Sequence, residues 1–191
     1  WGPPFLSNED GIESDATYFA SCNRNKKSII IDFSKKDGAN LIKNLAKKAD
    51  VIVENFKFGG LKKYGLDYET IKHINKKIIY CSITGFGQTG PYSERAGYDF
   101  LIQGMAGLMS ITGQNSLTNN SEPTKVGVAV SDLFSGMYLS TSILAALIYR
   151  KKSGEGQFLD CSLFDCQVSM LANQSSNWLN GKMLPTRIGN H

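Results

Sequence analysis

A single carboxylate, Asp132, stands at the mouth of one of the most apolar stretches of the chain, AVSDLFSGMYLSTSILAALIY (129–149). Two kinds of chemistry suit an acid there. The backbone N–H groups at a helix start are unpaired, and a carboxylate near them is stabilised by those donors and by the helix dipole, commonly by ~0.3–1 kcal/mol. On that reading Asp132 is an N-cap. An ionised carboxylate held beside ligand loops is also a nucleophile that can attack an acyl group. No other constellation competes. The two histidines are His73, in a charged helical segment, and His191, the last residue, so a Ser-His-Asp triad has no support. The four cysteines, at 22, 81, 161 and 166, show neither CxxC pairs nor Cys/His spacing, so no metal site is expected. They read as reduced thiols of an intracellular protein.

The elements that must position Asp132 follow from the hydrophobic pattern. SIIIDF (28–33) is a β-branched run and reads as a buried strand; Ser34 and Asp37 then form a capping-box pattern ahead of a helix whose inner face carries Leu41, Ile42, Leu45, Ala46 and Ala49. DVIVENF (50–56) reads as a second strand, Asp67 as the cap of a short helix to about Lys76, and KIIYCSITGFG (77–87) as a third strand entering a glycine loop. Strands alternating with helices predict βαβ units: an α/β, Rossmann-like parallel sheet with flanking helices. Beyond it, 98–113 reads as helical with three glycines, 114–125 as a polar mobile stretch, 132–151 as the apolar helix, 154–163 as turn and strand, and 163–181 as one last helix closed by Gly181.

In parallel sheets the loops beyond the carboxyl ends of the strands hold the ligand. Here they are ENFKFGG (54–60) and TGFGQTGPYSERAGYD (84–99); no P-loop lysine follows, and a dinucleotide or ATP site is not expected. The 191 residues, with 41% hydrophobic and 20% charged, suffice for one domain with a core. The net charge of +4 suits a small polyanionic ligand and is too weak to argue for nucleic acid. The longest apolar run, Met137–Tyr149, is expected to be too short and too polar to span a bilayer. The chain opens on a turn, WGPPF, and closes on RIGNH, and both ends read as cut from a longer protein.

The blocks NRNKKSIIIDF, ADVIVENFKFGGLKKYGLDYE, IIYCSITGFGQTGPYSERAGYD and VSDLFSGMYLSTSILAALIYRKKSGEGQFLDCSL resemble successive blocks of the family III CoA-transferases, over essentially the whole chain. The succinyl-CoA:glutarate branch is the most similar in look. The resemblance implies that residues 1–191 are the N-terminal part of a large CoA-binding domain. A first strand and helix and a second, smaller domain would lie outside it, and two full chains would interlock as a homodimer. It implies an enzyme that moves CoA from an acyl-CoA donor to a free carboxylate. CoA would be a substrate and not a resident cofactor, with no nucleic acid or membrane partner, in mitochondria or a cytoplasm.

The family's G-x-x-x-x-D-x-x-[ST]-G block reads GVAVSDLFSG here, so the resemblance gives the catalytic role to Asp132 through a covalent aspartyl intermediate. It also implies that Asn55, Phe56 and Lys57 border adenine and ribose, with Ile31 and Ser34 beside them. Lys63, seven positions after Phe56, would contact phosphate, and Ala96, Gly97, Tyr98 and Asp99 would line the pantetheine path. Racemases of the same superfamily carry His where this chain has Tyr98, and a phenol, with an ordinary pKa of about 10, is a poor base at neutral pH. Transfer is therefore expected over 2-methylacyl-CoA racemisation, with a non-catalytic CoA-binding module as the third reading.

Overall fold

The computed structural model describes residues 2–190, which divide into two units: residues up to Asp32, and residues from Phe33 onward. The N-terminal unit holds an antiparallel hairpin, β1 (Phe5–Ser7) and β2 (Glu13–Ala16), followed by α1 (Thr17–Cys22). The hairpin turn is built by Asn8, whose side-chain oxygen accepts from the backbone N–H groups of Asp10 and Ile12, with Gly11 at φ +75°.

The expected strand at 28–33 is absent. Residues 28–32 carry no regular structure, and Ile29 and Ile30 are 65% and 98% exposed. A strand is a pairing before it is a propensity, and no described strand pairs with this run.

The second unit is the predicted parallel sheet. Its strands are β3 (Val51–Glu54), β4 (Ile79–Thr84) and β5 (Phe158–Ser162), in the order β3-β4-β5, with Val51 opposite Ile79 and Ile83 opposite Cys161. β4 is central, and its side chains alternate between two cores. Tyr80, with Ile78 just before the strand, packs with Ala46 of α2 (Lys36–Ala46), Ile71 of α3 (Tyr68–Ile74) and Leu66, which precedes α3. Ile79 and Cys81 pack with Leu139, Ala146 and Cys161, under α6 (Val130–Ser153). Between β4 and α6 lie α4 (Asp99–Met105) and α5 (Leu108–Ile111); α7 (Leu163–Met170) and α8 (Asn173–Leu179) close the chain.

Several local expectations change. Lys35, not Ser34, occupies the N-cap of α2: the first helical bond runs from the Ala39 N–H to the Lys35 carbonyl, with no side-chain cap bond. The inner stripe of α2 is Ala39, Ile42 and Ala46, while Leu41 and Leu45 face outward. Asp67 caps α3 as expected, accepting from the Thr70 N–H. The single helix expected over 163–181 breaks at Ala172, whose φ of +46° and ψ of −114° no helix accommodates. Helix α6 runs for 24 residues, so by length and composition it is long and apolar enough to cross a bilayer, contrary to expectation. It lies against the sheet, with Ser131, Ser135, Leu139 and Ala146 buried.

The far end of α6 is fastened to the sheet by Arg150. Its guanidinium donates to the Lys77 carbonyl at 2.9 Å and to the Asp50 carboxylate at 2.7 Å, at the start of β4 and just before β3. Arg150→Ala is expected to cost about 0.5–1.5 kcal/mol, read as a lower urea midpoint, because the hydrogen bonds and the packing of the mostly buried arginine are lost while water replaces the donor at the exposed Asp50. Arg150→Lys should recover only part, since an ammonium lacks the fork that spans both partners. An unchanged midpoint would contradict this anchoring role.

Candidate active site

The carboxyl ends of the three strands are joined by polar side chains. Glu54, the last residue of β3, accepts from the Ser82 hydroxyl of β4 and from the Phe56 N–H at 2.8 Å. Gln88 donates its amide to Ser82 at 2.8 Å and its backbone N–H to Asp160 of β5 at 2.8 Å. Asn55 donates its side-chain amide to the Ile83 carbonyl. The loop 55–57 is thereby tied to the end of β4, with Asn55, Phe56 and Lys57 exposed at its surface.

Aromatic contacts gather further expected residues around this loop. The Phe33 ring meets Phe56 edge-on at 5.6 Å and Tyr64 at 5.3 Å, and the Lys63 ammonium lies 4.8 Å from the Tyr64 ring centroid. Ser34 follows Phe33 directly and is exposed. Asn55, Phe56, Lys57, Lys63 and Ser34 thus share one neighbourhood. Ile31 belongs to the N-terminal unit, where it is half-buried.

A second group forms around the start of α6. The backbones of Gly85, after β4, and Gly97 press so closely together that neither has room for a side chain. This contact brings the Ala96-Gly97-Tyr98-Asp99 segment beside the sheet. Asp99 then does what the sequence assigned to Asp132. One of its oxygens accepts from the Ser131 N–H at 2.7 Å, satisfying a free donor of α6, and the other accepts from the Gln103 amide at 2.6 Å. Gln103 in turn accepts from the Val126 N–H at 2.8 Å, and the Ser131 hydroxyl donates to Gln167 of α7 at 2.6 Å. The N-cap position itself is Ala129, so Asp132 lies three residues inside the helix and is not its cap.

Asp132 is exposed, and among the described residues no cation pairs with it. The atoms packed around its carboxyl strip away part of its water and push its pKa up; the neighbouring Asp99 charge pushes it the same way. The expectation that the helix mouth keeps the acid charged is thus reversed in sign. The group that satisfies the helix is Asp99, and the group left free, in a setting unfavourable to its own charge, is Asp132.

A reaction that used the Asp132 carboxylate as its nucleophile would lose rate on acidification at a higher pH than one using a fully solvated aspartate, since its rate falls as pH drops through a raised folded-state pKa. Asp99→Asn removes the like charge and should move that acid limb to lower pH. Its amide also faces the Gln103 amide, a donor against a donor, so the plateau rate should fall as well. A pH–rate profile separates the two effects, and a limb that stays in place would contradict the Asp99 coupling.

Sequence reasoning missed Gln103, Ser131 and Gln167. The Asp99/Gln103 pair has a legible signal, four residues apart on one helix face. Gln167 has none, because its partner lies 36 positions away. The GFGQTG loop has the spacing of a dinucleotide fingerprint, at Gly85, Gly87 and Gly90. Its structural setting is nonetheless a different one. A dinucleotide turn opens directly into a helix that receives the pyrophosphate, whereas here the next helix starts only at Asp99.

Comparison with known proteins adds to this geometry. The sequence model of CoA-transferase family III matches residues 2–191. The chain is 51% identical over 190 residues to a succinate–glutarate CoA-transferase of Agrobacterium fabrum, covering 100% of this chain and 46% of that protein. It is 46% identical over 189 residues to the human succinyl-CoA:glutarate CoA-transferase, covering 99% and 41%. The crystal structure of a CAIB/BAIF family protein from Brucella suis superposes with a TM-score of 0.92 at 54% identity, covering 100% of this chain and 49% of that one. The chain therefore spans less than half the length of these relatives. With a match along its whole described length and a shared parallel sheet, this chain belongs to CoA-transferase family III.

Proposed function

We propose that the protein carrying this chain transfers CoA from an acyl-CoA donor to a free carboxylate, with Asp132 as the nucleophile. The observation that carries this reading is the uncapped Asp132 carboxylate, exposed in the first turn of α6 beside Asp99. Its oxygen attacks the thioester carbonyl, the C–S bond breaks, and CoA leaves as the thiolate from a mixed anhydride. The thiolate then attacks the Asp132 side of the anhydride, releasing the donor acid and leaving an aspartyl-CoA thioester. The acceptor carboxylate repeats these two steps in reverse order, and Asp132 is regenerated as a carboxylate. Every attacking group is an anion already, so no general base is required.

The CoA would lie along the strand ends. Lys63 and Lys57 offer cations for phosphate, Phe56 an aromatic face, with Asn55 and Ser34 around the adenine end. Ala96, Gly97, Tyr98 and Asp99 would border the arm that reaches Asp132. Succinyl-CoA as donor and a dicarboxylate such as glutarate as acceptor are favoured by the names of the relatives at 46–51% identity. Residues 1–191 would form the N-terminal part of the large CoA-binding domain of an interlocked homodimer, in a mitochondrial or cytoplasmic setting where CoA thioesters occur.

The test is a screen of free carboxylates against succinyl-CoA with the full-length protein in heavy water, read by mass spectrometry. CoA should appear on an acceptor, and a 2-methylacyl-CoA should gain no deuterium at its alpha carbon. Deuterium there would favour the racemase. CoA binding with neither reaction would favour the binding module.

A further inference from the structure

Strand β5 runs into α7 without a connecting loop, and Ser162 is at once the last strand residue and the helix cap, accepting from the Asp165 N–H. This tight reversal sets Cys161 and Cys166 side by side, their sulfurs 3.8 Å apart. The two thiols differ in setting. Cys161 is buried in the core, held opposite Ile83 in the sheet, and its thiol also lies 3.5 Å from the Ser135 carbonyl. Cys166 is half-buried on α7. Both line a cavity of about 470 Å³ that Tyr138, Ser142, Asp165 and Ser169 also border. Cys161 is enclosed by the core, while Cys166 packs against the edge of that core and stays partly exposed.

The contact between them favours one thiolate. Hydrogen bonding from Cys161 is the largest influence on Cys166, lowering its pKa to about 7, and the same contact raises that of Cys161. The remaining cysteines are differently placed. Cys81 is fully buried in β4 and pushed up to about 11 by burial, and Cys22 is exposed in the N-terminal unit. The transfer chemistry proposed for Asp132 uses none of these sulfurs.

We propose that Cys161 and Cys166 form a peroxide-reactive dithiol, with Cys166 as the attacking sulfur and Cys161 as the resolving one. The Cys166 thiolate attacks one oxygen of a hydroperoxide, the O–O bond breaks, and the departing alkoxide or hydroxide takes a proton. Sulfur is oxidised by two electrons to the sulfenic acid and the peroxide is reduced. The Cys161 sulfur then attacks the Cys166 sulfur, the S–O bond breaks, and the expelled hydroxide leaves as water with the Cys161 proton. Closing the bond brings the sulfurs from 3.8 Å to about 2.05 Å. Cys161 is fixed by its sheet pairing, so the movement falls to Cys166 and the first turns of α7.

The test uses the reduced full-length protein, hydrogen peroxide as the probe, iodoacetamide blocking and peptide mapping by mass spectrometry. A Cys161–Cys166 link, lighter by two hydrogens and reversed by dithiothreitol, should form before Cys22 is modified. In Cys161→Ser the reaction should stop at a Cys166 sulfenic acid that dimedone traps; in Cys166→Ser, Cys161 should stay reduced over the same interval. Recovery of both thiols as alkylated cysteines after peroxide, or dimedone labelling of Cys22 ahead of Cys166, would overturn the proposal. The wild-type map is decisive without the variants, and its outcome is independent of whether Asp132 transfers CoA.

Discussion

Asp132→Ala is expected to abolish CoA transfer while leaving the fold as stable as the parent or slightly more stable. The loss of rate should reach about a thousandfold or more, because removing a covalent nucleophile forces the reaction back onto a direct displacement. The stability half follows from the site. A true N-cap would cost about 0.5–2 kcal/mol to remove, but the Ser131 N–H of α6 is served by Asp99, and the cap position is Ala129. The pKa of Asp132 is raised on folding, so its ionisation opposes folding: the penalty is absent below the unfolded-state pKa and complete above the folded one. At neutral pH the alanine variant escapes that penalty. Transfer assays and urea melts of the same preparation check both halves. Retained activity would remove the nucleophile assignment, and a marked loss of stability would return Asp132 to a capping role.

Most of the sheet was legible because its signals are local. β3 and β4 each announce themselves as a β-branched run, and Asp67 sits three residues from the amide it caps. The failures share one cause, which is that the deciding contact is remote in sequence. Ile29 and Ile30 have strand chemistry but no described partner strand. Asp99 caps a helix that begins 31 residues later, so a reader of the sequence assigns the cap to the nearest acid, Asp132. Asp132 stands out in the sequence as an isolated acid before an apolar run, but nothing local shows that its capping duty has been taken over from elsewhere. The break at Ala172 has no sequence signal, since alanine is the best helix former and yet stands here at φ +46°. The Asn8–Gly11 turn was legible in principle through its Asx and glycine chemistry, between strands too short and polar to show alternation.

The contact that brings Asp99 to α6 gives the second large effect. A Cβ on Gly97 would lie 2.7 Å from the Gly85 Cα, 3.1 Å from the Ile102 Cδ1 and 3.2 Å from the Phe86 ring. The first of these is backbone at the end of the central strand, so it cannot turn aside as a side chain could. Gly97→Ala should therefore move the 96–99 segment, at a cost of about 1–3 kcal/mol typical of overpacking. Asp99 travels with that segment, and its 2.7 Å bond to the Ser131 N–H tolerates little movement. A misplacement of about 1 Å beside a reacting group can lower rates roughly a hundredfold, so transfer should fall by about ten- to a hundredfold in variants that still fold. Gly136→Ala is the matching control. Gly136 lies inside α6, and a Cβ added there would meet nothing within 4 Å, so alanine should gain about 0.5–1 kcal/mol through helix propensity. Thermal melts and transfer rates of the two variants, taken side by side, separate loss of backbone contact from the general effect of glycine replacement. Equal behaviour of Gly97→Ala and Gly136→Ala would show that the close approach of Gly85 and Gly97 does not hold Asp99 in place.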